Sequence, residues 1–277
     1  MLYSRAKTFQ ICSKCIQFLL NMIPEERREK LLELVDKFGV LSIPELSTKL
    51  DVSLITVRRD IKILEEENKL QTVFGGVKTT ISSKRISSEP SRLFFEKRAI
   101  NEKEKISAYA ANLIPEHSCI FLDAGTTTYF LAEKICNRKD LVVITNDFYI
   151  TDLLLNKSES QIIHTGGSVS RSNHACVGNF AAASIQNYNI DLAFISATSW
   201  NIQGITTSDE SKVALKRALY NHTKKRILLC DSGKYGTEAT YVALPITAFD
   251  SIITDSGLDV IEQKKIIEKN INLIVLK

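Results

Sequence analysis

Two hydrophobic patterns divide the chain. Up to about residue 66 apolar residues recur at helical spacing, whereas beyond residue 118 they come as short continuous runs between amphipathic stretches. In the first part Val57, Ile61 and Leu64 recur at i, i+4 and i+7 and make one apolar stripe. Ser53 can cap this helix through its hydroxyl, and Asp51–Val52 supplies the turn before it. Ile55, Arg59 and Lys62 project on the opposite face, with Thr56 and Arg58 at its flanks. A preceding helix starts near Pro44, a good first-turn residue, and buries Leu46 and Leu50. An earlier one, from about Pro24 to Lys37, carries Leu31, Val35 and Phe38 at core spacing and ends at Gly39. Leu70–Thr80 is β-prone around Gly75–Gly76, which predicts a hairpin.

Three short helices followed by a glycine-turned hairpin make a winged helix-turn-helix over residues 22–80. An exposed Ile55 beside Arg59 is odd on a solvated helix. In a DNA major groove it makes sense, because arginine can pair with guanine O6 and N7 while an aliphatic group meets a thymine methyl. The residues expected to meet duplex DNA are therefore Ser53, Ile55, Thr56, Arg58, Arg59 and Lys62, with Gly75, Gly76 and Lys78 in the wing. Basic and acidic residues nearly balance across 22–84, so this reading depends on placement and not on net charge.

Residues 81–92, ISSKRISSEPSR, are polar, serine-rich and interrupted by Pro90, as expected of a linker. In the remaining stretch, 93–277, apolar runs occur at 119–123, 141–145, 161–164, 192–197, 226–230, 251–254 and 272–276. Amphipathic segments fall between several of them, near 102–113, 127–136, 147–156, 209–222 and 258–269. This alternation predicts a Rossmann-like α/β domain with a mainly parallel sheet covered on both faces. Ligands of such sheets bind at the carboxyl ends of the strands.

Polar chemistry gathers at those ends. The first run leads into Asp123–Ala124–Gly125–Thr126–Thr127–Thr128 and then a helix, so free amides, hydroxyls and the helix dipole can cradle an anion, naturally a phosphate. A plain threonine-capped helix start reads the same way. The second run ends at Thr145–Asn146, and the third at Thr165–Gly166–Gly167, where backbone can approach a ligand. Asp231 and Lys234 follow the fifth run and can hold sugar hydroxyls, while Lys216 or Lys234 can neutralise a phosphate. His117, His164, His174 and His222 have no metal-ligand spacing, and no nucleophile elbow is present, so neither a metal nor a cofactor is expected.

The chain has 277 residues, 44% hydrophobic and 25% charged, with net charge +4, which fits a soluble protein of two domains. Its six cysteines show no secreted framework, so a reducing, cytoplasmic setting is expected. Cys12 and Cys15 form a CxxC with no second pair or histidine nearby to complete a zinc site. Residues 1–21 are basic with a short apolar patch, too interrupted for a membrane span and without a convincing cleavage site. Met22 stands directly before the first helix, so 1–21 is read as an upstream reading-frame extension, or else as a poorly ordered arm.

Across residues 22 to about 256 the chain resembles the DeoR family of bacterial transcriptional regulators. The matching motifs are TVRRDIKILEE with the FGG wing, FLDAGTTT, VVITN, TGG, Val177–Gly178, DLAFI, Gly204-x-Thr206, DSGKYG and ITD. The resemblance implies a sensor domain related in fold to ribose-5-phosphate isomerase and glucosamine-6-phosphate deaminase. It implies a repressor of a sugar-catabolic operon, working as a homo-oligomer (dimer or tetramer) on double-stranded operator DNA and relieved by a phosphorylated sugar. By the same resemblance Asp123 through Thr128, Asn146, Gly166, Gly167, Lys216, Asp231 and Lys234 would line the effector site. The chain departs from the family pattern at Thr72 and Phe74 in the wing, at Ala197–Thr198–Ser199–Trp200, and at Gly233. The competing expectation is a sugar-phosphate isomerase or deaminase with a DNA-binding-like module. Its proton-abstracting carboxylate would be Asp123 or Asp231.

Overall fold

The computed structural model describes residues 23–38, 41–67, 69–73, 76–79, 84–86, 92–96 and 98–277. The 1–21 extension with its CxxC, the start at Met22, the Gly39 cap, and Phe74 and Gly75 of the wing lie outside the described residues. The chain divides into two compact units, Met1–Ser82 and Ser83–Lys277.

In the first unit α1 (Pro24–Phe38), α2 (Ile43–Leu50) and α3 (Leu54–Glu66) precede an antiparallel pair, β1 (Leu70–Val73) and β2 (Gly76–Thr79). The expected core forms: Leu31, Val35, Leu46, Leu50, Val57, Ile61 and Leu64 pack together, joined by Leu41, Leu70 and Val77. α2 opens with a reciprocal box in which Ser42 accepts the Glu45 N–H and the Glu45 carboxylate accepts the Ser42 N–H. It closes at Asp51, whose left-handed backbone (φ 53°) turns the chain toward α3. Gly76 begins β2, and its bareness is set by packing: a Cβ there would lie 2.3 Å from the Leu41 carbonyl oxygen. That approach lets Leu41 and Val77 exchange backbone hydrogen bonds at 3.2 and 2.9 Å, fastening the wing to the segment before α2.

The second unit opens with β3 (Lys84–Ile86), α4 (Arg92–Glu96) and α5 (Ile100–Ala111), then β4 (Cys119–Leu122), α6 (Thr126–Lys134), β5 (Val142–Thr145), α7 (Phe148–Lys157) and β6 (Gln161–His164). A hairpin, β7 (Ser168–Ser170) and β8 (Ala175–Val177), leads to α8 (Gly178–Ile185) and β9 (Ile190–Ile195). There follow β10 (Ser199–Asn201), β11 (Gly204–Thr207), α9 (Ser211–His222), β12 (Thr223–Leu229), β13 (Thr237–Ala239), β14 (Tyr241–Pro245), β15 (Ser251–Asp255), α10 (Val260–Ile267) and β16 (Asn272–Leu276).

The seven apolar runs become the seven strands of one parallel sheet, ordered β16-β15-β12-β9-β4-β5-β6. Alternate residues feed two cores. Phe121, Ala193, Ile195 and Leu228 pack on the side of α8, α9 and α10, while Ile120, Leu122, Phe194 and Leu229 pack on the side of α5, α6 and α7. The chain steps from β4 to β5 and β6 and then returns to β9 on the other side of β4. That reversal opens a crevice beyond the carboxyl ends of β4 and β9. The small sheet β10-β11-β14 and the α8 helix are additions that the pattern of runs did not signal.

The stretch expected to be a linker is structured in part. β3 pairs in parallel with β13, Lys84 opposite Thr237 and Ile86 opposite Ala239, and α4 begins at Arg92. No helix among the described residues is long and apolar enough to cross a membrane.

Candidate functional site

Helix α3, the expected recognition helix, starts as its sequence predicts. Ser53 Oγ accepts the Thr56 N–H at 3.2 Å and shares a hydrogen bond with the Thr56 hydroxyl at 2.8 Å. Arg58, Arg59 and Lys62 are exposed, and Ile55 is 77% exposed, an unusual state for isoleucine on a helix packed into a core. Lys78 lies on β2 opposite Gln71. One residue that sequence reasoning missed fixes the helix: Asp60 is buried and takes Arg27 Nε at 2.6 Å and Nη2 at 3.1 Å from α1. Arg28 approaches the same carboxylate at 4.0 Å. The pair resists rotation of α3 against α1 and so sets which side chains face outward. Thr72, where the family wing has arginine, donates its backbone N–H to Glu65 Oε1 at 2.7 Å and ties the wing to α3.

In the second unit a cavity of about 720 Å³, counted out to open solvent, occupies the crevice at the β4/β9 reversal. Asp123 follows β4 directly, and its N–H continues the ladder to the Phe194 carbonyl at 3.0 Å. Its Oδ2 accepts from Lys216 Nζ at 2.5 Å, from the Ser196 N–H at 3.0 Å and from Ser196 Oγ at 3.3 Å. Lys216 also donates to the Ser196 carbonyl at 2.8 Å. Asn146 holds the loop after Asp123, accepting the Ala124 N–H at 2.9 Å while donating to the Cys176 carbonyl at 2.9 Å. Gly125 packs so closely on Ser196 that a Cβ would lie 2.7 Å from that side chain. The loop delivers α6, whose N-terminus has no side-chain cap. The buried Thr126 hydroxyl lines the cavity without a hydrogen-bond partner.

The structure brings Asp123, Ala124, Gly125, Thr126, Asn146, Lys216 and Lys234 into this lining. It leaves five expected residues out. Thr127 is buried, and Thr128 turns its hydroxyl back onto the Asp123 and Gly125 carbonyls at 2.6 and 2.9 Å. Gly166 and Gly167 follow β6 at the sheet edge, two strands from β4. There Gly167 (φ 117°) admits protein backbone: a Cβ would sit 2.8 Å from the Val177 carbonyl oxygen. Asp231 is buried behind the lining, 3.8 Å from Lys234, with its carbonyl bonded to Trp200 Nε1 at 3.2 Å. Residues not foreseen complete the wall, chiefly Arg92, Phe95, Ser196, Thr206 and Lys212. Ser196 was legible in principle, as the last polar residue of the run 192–197. In the departing segment Ala197 and Thr198 line the cavity, whereas Trp200 is fully buried in the core.

Burial perturbs several groups of the second unit. It pushes the Lys103 ammonium, with help from nearby Lys234, down to about 8, and lifts the Cys230 thiol to about 12. It raises Asp147 despite the opposing pull of Arg92, and lowers His164. Among the described residues no cluster of His, Cys, Asp and Glu has the makings of a metal site.

A winged helix-turn-helix unit joined to an α/β unit with a polar crevice at its strand reversal defines a sensor-coupled DNA-binding protein. The DeoR-like helix-turn-helix domain matches residues 27–83, and the DeoR C terminal sensor domain matches residues 98–256. The chain belongs to the DeoR family of transcriptional regulators, a family of regulators and not of enzymes. It is 44% identical to the uncharacterized HTH-type transcriptional regulator YgbI of Escherichia coli (strain K12), over 92% of this chain and 99% of that one. It is 32% identical to the HTH-type transcriptional regulator IolR of Bacillus subtilis (strain 168), over 84% and 92% of the two chains. The HTH-type transcriptional repressor GlcR of the same organism is 31% identical over 84% of this chain and 89% of that one. Among solved structures it is similar to ribose 5-phosphate isomerase A of Methanocaldococcus jannaschii, at TM-score 0.36 and 17% identity over 48% of this chain and 53% of that one.

Proposed function

We propose that this regulator represses a sugar-catabolic operon and releases its operator when a phosphorylated sugar binds the crevice of the second unit. One observation carries the ligand reading: the uncapped N-terminus of α6 opens beside a buried Thr126 hydroxyl that has no partner among the described residues. Free helix amides, a helix dipole and an unsatisfied hydroxyl together favour an anion. Lys216, Lys234 and Arg92 in the same wall supply cationic surroundings, and Asn146 and Ser196 supply groups suited to sugar hydroxyls. Repression is supported by the relatives named as repressors, GlcR among them. The residues we assign to the ligand are Gly125, Thr126, Asn146, Lys216 and Lys234, with Asp123 orienting Lys216. Those we assign to DNA are Ile55, Thr56, Arg58, Arg59 and Lys62. The reading includes a homo-oligomer, since paired half-sites are how a single short recognition helix achieves operator specificity.

A ligand moves the DNA-binding equilibrium only through its differential affinity, typically about 5- to 150-fold. Operator binding is to be titrated with a panel of aldose and ketose phosphates and their unphosphorylated counterparts. The expected result is release by one phosphorylated sugar, unaffected by the free sugar and lost in Thr126→Val. Release by the unphosphorylated sugar, or unaltered release in Thr126→Val, would reject the phosphate assignment. Turnover of any of these sugars would favour an enzyme.

A further inference from the structure

The stretch that follows the first unit forms part of the cavity wall. α4 is short, yet Arg92 and Phe95 both line the crevice. The Arg92 side chain is 6% exposed, donates Nη1 to Asp147 Oδ2 at 2.6 Å, and lies 4.3 Å from the centre of the Tyr149 ring. The same carboxylate oxygen accepts the Gly125 N–H at 3.2 Å, one residue before the open end of α6. Asp147 does not depend on Arg92 alone, because its Oδ1 also accepts the Tyr149 and Ile150 N–H groups at 2.8 and 3.1 Å. The guanidinium can therefore exchange a partner without stranding a bare carboxylate.

Phe95 is gripped from two sides. Its carbonyl accepts from the fully buried Lys103 ammonium, and its ring lies 4.6 Å from Lys234 Nζ, which donates to the Ala197 carbonyl at 3.0 Å. Upstream, β3 is paired with β13, and β13 is fastened to two cavity residues. The Ala239 N–H donates to Thr206 Oγ1 at 2.8 Å, and Thr237 Oγ1 donates to the Lys234 carbonyl at 2.9 Å. Both described parts of the second unit's opening stretch, 84–86 and 92–96, thus connect to the same cavity.

We infer that Arg92 and Phe95 are ligand-contacting residues, the guanidinium taking the phosphate held at the N-terminus of α6 and the ring covering the adjoining carbon chain. Arginine suits that role because its planar fork matches phosphate oxygens in pairs. Binding then engages the opening stretch of the second unit directly, and that stretch is itself an element that senses occupancy. This inference depends on the phosphate reading of the crevice given above.

The test uses the full chain with inorganic phosphate as probe and an equal ionic strength of chloride as control. Hydrogen–deuterium exchange is expected to slow at 126–128 and at 92–96 together when phosphate is added. Arg92→Gln is expected to weaken phosphate binding about tenfold or more, the loss of one charge-assisted pair, with Arg92→Lys recovering part of it. Unfolding of each variant, followed by Trp200 fluorescence, separates loss of fold from loss of affinity. If Arg92→Gln does not fold, the wild-type exchange pattern decides alone. Slowing at 126–128 with 92–96 unchanged, or wild-type affinity in a folded Arg92→Gln, would overturn the inference and leave the phosphate site standing. No slowing at 126–128 in the wild type would overturn both.

Discussion

Converting Asp123 to asparagine should cost the second unit about 3 kcal/mol, and most of that loss should return when Lys216 becomes methionine in the same chain. The two side chains are 5% and 9% exposed and 2.5 Å apart, so the ammonium faces a carboxylate with little water between them. Asp123→Asn keeps an oxygen for the Ser196 N–H but removes the charge opposite Lys216, whose remaining acceptors, that amide oxygen and the Ser196 carbonyl at 2.8 Å, are both neutral. Breaking one half of a buried pair costs about 3–5 kcal/mol, and the neighbouring cavity, open to solvent, argues for the lower end. Asp123→Asn with Lys216→Met has no buried charge left at this point, so a coupling energy of about 2 kcal/mol is expected from the cycle. The assay is urea unfolding followed by the chain's one tryptophan. Trp200 is fully buried in the second unit, so its fluorescence reports that unit and avoids treating a two-unit chain as a single transition. A coupling below about 0.5 kcal/mol, or a double variant as weak as the sum of the singles, would refute the buried-pair account.

Asp60→Asn should destabilise the first unit by about 3 kcal/mol, because Arg27 loses its buried carboxylate; faster amide exchange across α3 than across the second unit would show it, and unchanged exchange would contradict it. Arg59→Ala should cost about 1–3 kcal/mol of operator affinity and relax preference at one base position, read by selection from randomised duplexes, since Arg59 is exposed on the outer face of α3. Lys103 binds its proton less tightly folded (about 8) than unfolded (10.5), owing first to burial and then to Lys234. Between those values the unfolded chain carries more proton, so the stability of the wild type relative to Lys103→Met should rise with pH through that window. A difference that stays flat or falls from pH 8 to 10.5 would reject this placement of Lys103.

The parallel sheet was legible because a strand covered on both faces needs apolar residues in every position, and seven unbroken runs stand out against amphipathic surroundings. The helix-turn-helix was legible for a different reason: caps and helical spacing are local, and Ser53, Asp51 and the Val57–Ile61–Leu64 stripe each act within a few residues. Partnerships between distant residues were not legible. Asp60 is found by Arg27 across 33 residues, and Asp147 by Arg92 across 55, and nothing near either aspartate marks it as buried. Glycine is ambiguous in the sequence. A bare backbone looks the same whether it admits a ligand or another stretch of protein: at Gly167 the neighbour is Val177 and at Gly76 it is Leu41, whereas Gly166 has open space beside it.

The pairing of charges in the crevice bears on how a ligand can be held there. Lys216 faces Asp123, Arg92 faces Asp147, and Lys234 lies 3.8 Å from Asp231, so each of these three cations already has a carboxylate. An incoming anion therefore meets lysine charge that the aspartates already partly offset. What the protein leaves unsatisfied is different in kind: the uncapped end of α6 and the Thr126 hydroxyl. Such groups are directional and neutral, and they stay aimed at one point because Asn146, Asp147 and Ser196 hold the loop from three sides. On the phosphate reading proposed above, a site built this way discriminates by the position of phosphate oxygens more than by net charge. On the proposed reading it responds to occupancy through Arg92 near the start of the second unit, whose partner Asp147 keeps the Gly125, Tyr149 and Ile150 N–H donors when the guanidinium leaves.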